Sequence, residues 1–340
     1  MSVSVTEPIS LALARTGKVL FRPFDLAKWM TLGFCAWLAN LGSEGSNFGA
    51  RMPLGGGPGA PAPIAPVPPG NAPPPGQGAA GQGDAEFQAF FQNSVNWVQG
   101  NLEVVVGIGV AVVLVLVVVS LLIAWLKARG TFMFLDGVVR DRGAVARPWT
   151  EYAREGNSLF RFVFCFGLVI SLVMLSIVVG CAAIAWPDMR AGRFGDHAVS
   201  ALILLVPLGL LVALSSAVIQ VLLVDFVVPI MYVRRQPVMA AWNEFGRSIL
   251  AGHIGTMALY FLLKFVVAAC AGLVAVLITC ATCCIAALPY VGTVVLLPVY
   301  VFQRAFPLYV LEQYGPDWRV FPSAEKPSGL IFDDLPPQVI

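Results

Sequence analysis

Charge is what this sequence has least of. Only 12% of its 340 residues are Asp, Glu, Lys or Arg, where a soluble domain carries about 25%. Half the usual charge leaves too little polar surface to keep a globule of this length wet, which excludes an ordinary water-soluble fold. Histidine is almost missing: His197 and His253 are the two present. Neither has a second ligand at metal-binding spacing, so a histidine metal site and His-based catalysis are not expected. The chain has no P-loop and no Gly-x-Ser-x-Gly elbow. With a net charge of +2 it lacks the basic footprint of a nucleic-acid binder. No motif implies a metal or an organic cofactor, and the balance of these absences leans away from an enzyme.

Apolar residues take the place of charge. They make up 58% of the chain, and the mean hydropathy is +0.81. Crossing a hydrocarbon core of about 30 Å takes roughly 20 helical residues. Four uncharged runs meet that length: Val104–Leu126, Phe162–Trp186, Ala198–Val224 and Phe265–Leu288. None alternates polar with apolar residues, so they read as helices and not as barrel strands. Two weaker runs complete the set. Leu26–Leu41 is short and carries Lys28, whose amine can snorkel; Val291–Leu311 contains Arg304 and is bent by Pro298 and Pro307. The expected fold is all-α: a polytopic transmembrane helix bundle of six spans with interfacial amphipathic helices.

Lysine and arginine favour the cytoplasmic ends of spans. With six spans and the N-terminus inside, the inner segments collect sixteen of them and the outer segments three. Both termini are therefore expected in the cytoplasm. Heavy use of Ala, Gly and Pro, with Arg preferred over Lys, suggests a bacterium with GC-rich DNA and so a bacterial inner membrane, with a eukaryotic organelle membrane as the alternative. About 28 polar-to-amphipathic residues precede the first apolar run, too many for the usual start of a cleaved signal peptide.

The chain divides accordingly. Residues 1–25 form a cytoplasmic segment with an amphipathic stretch, Ile9–Phe21, and residues 26–41 the first span. Residues 42–86 make an external linker, since ten of the 25 prolines fall between Pro53 and Pro75 among glycine and alanine. Residues 87–315 are the main transmembrane helix domain, entered through an outer interfacial helix on Phe87, Phe90, Phe91, Val95 and Val98. Residues 316–340 are a cytoplasmic tail.

An internal repeat follows the even-numbered spans. Asp136–Tyr152 (DGVVRDRGAVARPWTEY) and Pro229–Phe245 (PIMYVRRQPVMAAWNEF) both run from apolar residues through arginines to Trp-x-Glu-aromatic. Phe306–Tyr314 (FPLYVLEQY) matches the first half of the pattern. Each even span is read as bending onto the inner membrane face, with Trp149, Trp242, Arg140, Arg142, Arg234 and Arg235 as interfacial anchors.

Leu20–Trp29 (LFRPFDLAKW) followed by an Ala/Gly-rich apolar run resembles the start of an uncharacterised family of prokaryotic multi-pass membrane proteins. Thr131–Arg142 (TFMFLDGVVRDR) and Gly156–Phe162 (GNSLFRF) resemble the segments that follow its next long span. The Pro/Gly linker and the cysteine-rich fifth span depart from that pattern. The resemblance implies a membrane domain and adds no chemistry.

Two constellations remain. Cys280, Cys283 and Cys284 share one helical face in the fifth span. They read either as a redox pair or soft-metal site, or, with the stronger case, as small apolar residues used for helix packing. Asp225, Lys264 and Arg304 are the ionisable groups within or at the edge of spans. They read as a charge pair, Asp225 with Arg304 first and Lys264 second, or as side chains that snorkel to the interface. The functional expectation is a non-enzymatic membrane protein that organises or contacts membrane lipids or other membrane proteins. The rival is a transporter of a small or amphiphilic solute, with those three charges lining its inner vestibule and Pro207, Pro229, Pro298 and Pro307 breaking its helices.

Overall fold

The computed structural model describes residues 7–41, 100–190, 195–252, 254–282, 288 and 290–321. The Pro/Gly linker, the outer amphipathic stretch at Phe87–Val98, His253, Cys283, Cys284 and the tail from residue 322 lie outside the described residues. Within those described, all regular structure is helical. α1 spans Glu7–Phe21, α2 Leu26–Ala39, α3 Leu102–Arg140, α4 Ala146–Glu151, α5 Ala153–Arg190 and α6 Asp196–Leu222. α7 is Val228–Arg234, α8 Val238–Phe245, α9 Ile254–Ala281, α10 Val291–Val295 and α11 Leu297–Glu312. A π-turn, Leu223–Val227, joins α6 to α7, and a second, Gly246–Leu250, follows α8.

Four helical stretches are long and apolar enough to cross a membrane: Val106–Arg140, Ala153–Asp188, Asp196–Arg234 and Ile254–Ala281. The other two apolar runs fall short of that length. α2 has 14 residues, about 21 Å at 1.5 Å per residue. The last run is divided at Leu296 into α10 and α11, where Pro298 sits in the first turn of the new helix; a proline has no N–H to give to the preceding turn.

The chain separates into two compact units, residues 50–122 and the remainder. In the first, the described part includes the N-terminal half of α3, where Val104, Val106 and the valines and leucines from Val110 to Val119 are exposed. In the second, burial is concentrated at one set of helix ends. Phe132–Leu135, Val138 and Val139 of α3, Leu159 of α5, Leu222, Leu223 and Phe226–Val228 across the π-turn with Ile230–Tyr232 of α7, and Met257 and Tyr260 of α9 join one core. Further along α5, α6 and α9 the large apolar side chains are mostly exposed.

α11 runs through this core, with Leu297, Val301, Ala305 and Leu308 fully buried. α1 packs on it through Ala12, Arg15, Thr16, Val19 and Leu20, a stripe at the 3–4 residue spacing of one helical face. Thus the amphipathic N-terminal stretch lays its apolar stripe on protein. Arg15 from that stripe donates to the carbonyls of Val138 (2.9 Å) and Val139 (2.8 Å). These belong to the last turn of α3, where carbonyls have no intrahelical donor.

α2 starts at Asp25, whose carboxylate accepts the Ala27 N–H at 2.9 Å, a standard N-cap. It runs antiparallel to the end of α3, and glycines make the contact. A Cβ on Gly143 would come within 2.9 Å of Lys28 Cα, and one on Gly130 within 2.7 Å of the Leu38 carbonyl carbon. The pairing is closed by Lys28 Nζ on Asp141 Oδ1 at 2.6 Å. Elsewhere, α5 and α6 pack along each other. Buried Asp188 accepts the Ala198 N–H at 2.8 Å and so caps α6 from the preceding helix.

Candidate functional site

Asp225 lies in the π-turn between α6 and α7. A π-turn inserts a residue and loosens the i→i−4 ladder locally, and here the Val224 carbonyl is taken by Arg304 Nη1 at 2.9 Å. The Asp225 carboxylate, 3% exposed, accepts the Tyr260 hydroxyl at 2.6 Å and forms an ion pair with Lys264. Tyr260 and Lys264 are one turn apart on α9, so a single helical face supplies both donors. All three expected charges are therefore in one cluster. The pairing differs from the order the sequence suggested: Lys264 holds the carboxylate, and Arg304 reaches the backbone one residue earlier. Depth along a helix is readable from a sequence, but the rotation that aims α9 rather than α11 at Asp225 is not. Arg304 is buried, and its Nε and Nη2 have no hydrogen-bond partner among the described residues.

The second cluster is built by the repeat. α3 ends at Arg140 and α7 at Arg234; each is followed by a residue in left-handed conformation, Asp141 (φ 55°) and Arg235 (φ 54°). Each then enters a short helix, α4 or α8, carrying Trp-x-Glu. The glutamate turns back onto the arginine that ended the long helix: Glu151 on Arg140 at 3.4 Å, Glu244 on Arg234 at 3.3 Å. The aromatic residue after it stacks on a buried phenylalanine nine residues before the left-handed one. These pairs are Tyr152 on Phe132 (5.9 Å) and Phe245 on Phe226 (5.4 Å). Phe306 holds the same place before Gly315 (φ 142°), and is also buried. Two helix ends thus share one construction, and the third shares its phenylalanine.

The two full repeats meet face to face. Tyr152 stacks on Tyr232 with ring centroids 4.8 Å apart, and Arg235 lies 3.8 Å over the Tyr152 ring. The fully buried Asp136 accepts the Tyr232 hydroxyl at 3.0 Å and is paired with Arg140 (3.3 Å) and Arg142 (2.8 Å). Glu151, half-buried, is approached by Arg140, Arg142, Arg147 and Arg235. Burial raises the Glu151 carboxyl, but the hydrogen bond from Arg235 and the charges of Arg140, Arg235 and Arg147 outweigh it and hold it below its ordinary value. Burial also pushes the Tyr152 hydroxyl up.

The two tryptophans of the repeat are placed differently. Trp149 meets Trp125 edge-on at 5.5 Å, with the Arg129 guanidinium 4.9 Å from each ring. Trp242 packs beside Phe162 and Phe245. Arg234 also lies over Trp318, 5.5 Å away. Cys280 is exposed near the end of α9. Among the described residues no three His, Cys, Asp or Glu side chains converge as a metal would need.

Sequence reasoning passed over Asp136, Tyr232 and Tyr260. For Asp136 a signal existed: it is a lone acid inside the apolar run TFMFLDGVV, and such acids are functional or structural anchors by default. The tyrosines gave none, because nothing local distinguishes a tyrosine that will meet a buried carboxylate.

These features describe an all-helical protein with four helices of membrane-crossing length and buried ionic clusters at their ends, compatible with an integral membrane protein. The chain belongs to a family of unknown function (DUF7544), whose profile covers residues 3–311. No curated protein and no solved structure matches it.

Proposed function

We propose that this protein is a six-span protein of the bacterial cytoplasmic membrane, without catalytic chemistry of its own, that organises or contacts lipid or partner proteins from the ends of its helices. The observation that carries this reading is the division of burial: aromatic and ionic residues pack at one set of helix ends, while α5, α6 and α9 present apolar side chains outward. Such outward faces suit acyl chains. Trp149 and Trp242, with Arg140, Arg142, Arg234 and Arg235, are then the anchors at the inner interface. In this reading Cys280, Cys283 and Cys284 are structural thiols without redox or metal chemistry.

In this proposal α2 and α11 are the first and sixth crossings, both termini are cytoplasmic, and the regions 1–25, 26–41, 42–86, 87–315 and 316–340 keep the roles expected from the sequence. The antiparallel run of α2 against α3 supports consecutive crossings. It also carries a cost: α2 lies beside the part of α3 beyond Lys127 and Arg129, past the apolar run Val104–Leu126, so a crossing α2 shares its depth with the charged end of α3 rather than with that run. Arg129 is held between Trp125 and Trp149, a pairing suited to the interface.

Native mass spectrometry of protein extracted in mild detergent tests the reading. Lipid should remain bound to the intact chain and be lost from a Trp149→Ala, Trp242→Ala variant. Protein that carries no lipid at all would overturn it. The transporter reading has its own support in the buried Arg304 nitrogens without partners beside Asp225. Solute flux through proteoliposomes that disappears in Asp225→Asn would favour it.

A further inference from the structure

Glu151 is surrounded by more positive charge than it can neutralise. Arg140 Nη2 (3.4 Å) and Arg235 Nη2 converge on its Oε1, and Arg147 Nε (3.6 Å) and Arg142 Nη2 (3.8 Å) on its Oε2. Asp136 beneath them shares Arg140 and Arg142. Four guanidinium groups thus face two carboxylates, a surplus of two charges. The end carbonyls of α3 are already taken by Arg15, and the C-terminus of α7 contributes about half a negative charge, so more than one positive charge is left over. The neighbouring ion pairs, Lys28 with Asp141 and Arg234 with Glu244, are neutral and do not change the balance. The adjoining Tyr152 and Tyr232 hydroxyls are uncharged.

The fit of Glu151 is also incomplete. Its Oε2 is buried without a hydrogen bond among the described residues, because both arginines on that side stand too far off. A planar carboxylate offers two oxygens to four forks. A phosphate offers three or four, arranged in a tetrahedron, and takes guanidinium forks two bonds at a time. The cluster is open to the outside: the Arg140 and Arg235 side chains are 37% and 38% exposed, and that of Arg147 is 72% exposed. Its floor is rigid, since the stacked Tyr152–Tyr232 pair and buried Asp136 fix Arg235, Arg140 and Arg142 from below.

We propose that Arg140, Arg142, Arg147 and Arg235 form a phosphate-binding nest in which Glu151 is an internal stand-in that a phosphate group displaces. The phosphate belongs either to an anionic lipid headgroup or to a small phosphorylated solute. The lipid source rests on the six-span reading above, in which the nest lies level with the start of α2 at Lys28. The nest itself rests on the arginine geometry alone.

The test compares the wild-type chain with Glu151→Gln, Arg147→Gln and Arg235→Gln, all purified in a neutral detergent. Two probes are used: inorganic pyrophosphate, and nanodiscs of phosphatidic acid in phosphatidylcholine against phosphatidylcholine alone. Binding is read by the shift in thermal midpoint and by titration, with sodium chloride at matched ionic strength as the control. Glu151→Gln should bind at least one probe about tenfold more tightly than wild type, and Arg147→Gln more weakly. Arg147 is mostly exposed, so its loss leaves folding intact even where Arg235→Gln does not. Tighter binding of pyrophosphate alone assigns a soluble ligand, sustains the nest and counts against the lipid source. Tighter binding of the phosphatidic acid discs alone assigns the headgroup. Equal binding by all variants, or no response to either probe in Glu151→Gln, overturns the nest while leaving the lipid retention of the whole chain to stand or fall separately.

Discussion

Asp225 shows how little of a buried ion pair lies in its two partners. The carboxylate is 3% exposed and is held by Lys264 and Tyr260, with Arg304 fixed one residue away on the Val224 carbonyl. Removing one member of a desolvated pair strands the other, at a cost on the order of 3–5 kcal/mol. Lys264 is 30% exposed and can turn toward water, so Lys264→Gln and Asp225→Asn should fall toward the lower end, about 3 kcal/mol each. The double variant should recover part of the loss. Unfolding of the detergent-purified proteins measures this cycle, and strictly additive losses would sink the pairing. Glu151 gives a second prediction at this scale. Its carboxyl lies below its ordinary value in the fold, so the stability it contributes is complete above the unfolded glutamate value of about 4.3 and is lost as pH falls through the folded value. The stability gap between wild type and Glu151→Gln should hold at pH 7 and close below pH 4. A gap unchanged across that range would show that the arginines do not hold Glu151 as described.

At the scale of elements, two contacts decide how the helix ends assemble. α2 meets α3 where Gly130 and Gly143 leave room for its backbone. Because a Cβ at Gly130 would strike the main chain of Leu38 and Ala39 rather than a movable side chain, Gly130→Ala must separate the helices. Overpacking of this kind costs about 1–3 kcal/mol, and disulfide trapping between cysteines placed on α2 and α3 should slow in that variant. Unchanged stability and trapping would mean that the helices do not approach so closely. The repeat is legible at this scale too, and only in part. The Trp-x-Glu-aromatic spacing appears in the sequence, and the fold turns each copy into a helix end clasped by its own glutamate. What the spacing does not reveal is that the loop before the tryptophan is one residue longer in the first copy, counted from Asp141 to Trp149 against Arg235 to Trp242. Nor does it reveal that the copies face each other through Tyr152 and Tyr232. Meetings between segments distant in sequence leave no local pattern in either.

For the whole molecule, charge asymmetry and helix length make different demands. Sixteen basic residues on one side of six spans and three on the other favour six crossings, while four helical stretches have the length and apolarity to cross. Reporter fusions at Ser2, Gly76 and Ile340 decide between them. Inside, outside, inside is the expected result, and an inside signal at Gly76 would show that α2 returns to the side from which it came.

Composition alone determined that this chain forms long apolar helices: scarce charge and uncharged runs of 20 residues or more give helices long and apolar enough to cross a membrane, whatever the packing. It also determined which few charges stand at the edges of those runs, because an ionisable residue in an apolar stretch is visible without any structure. Tertiary structure decided the partners. Lys264 rather than Arg304 takes Asp225, α1 lays its stripe on α11, and four arginines crowd one glutamate, because these outcomes depend on helix rotation and on close approach at a few glycines. Hydrophobicity is indifferent to direction and so is written along the chain, whereas ion pairs and glycine contacts are directional and exist only once the helices have met.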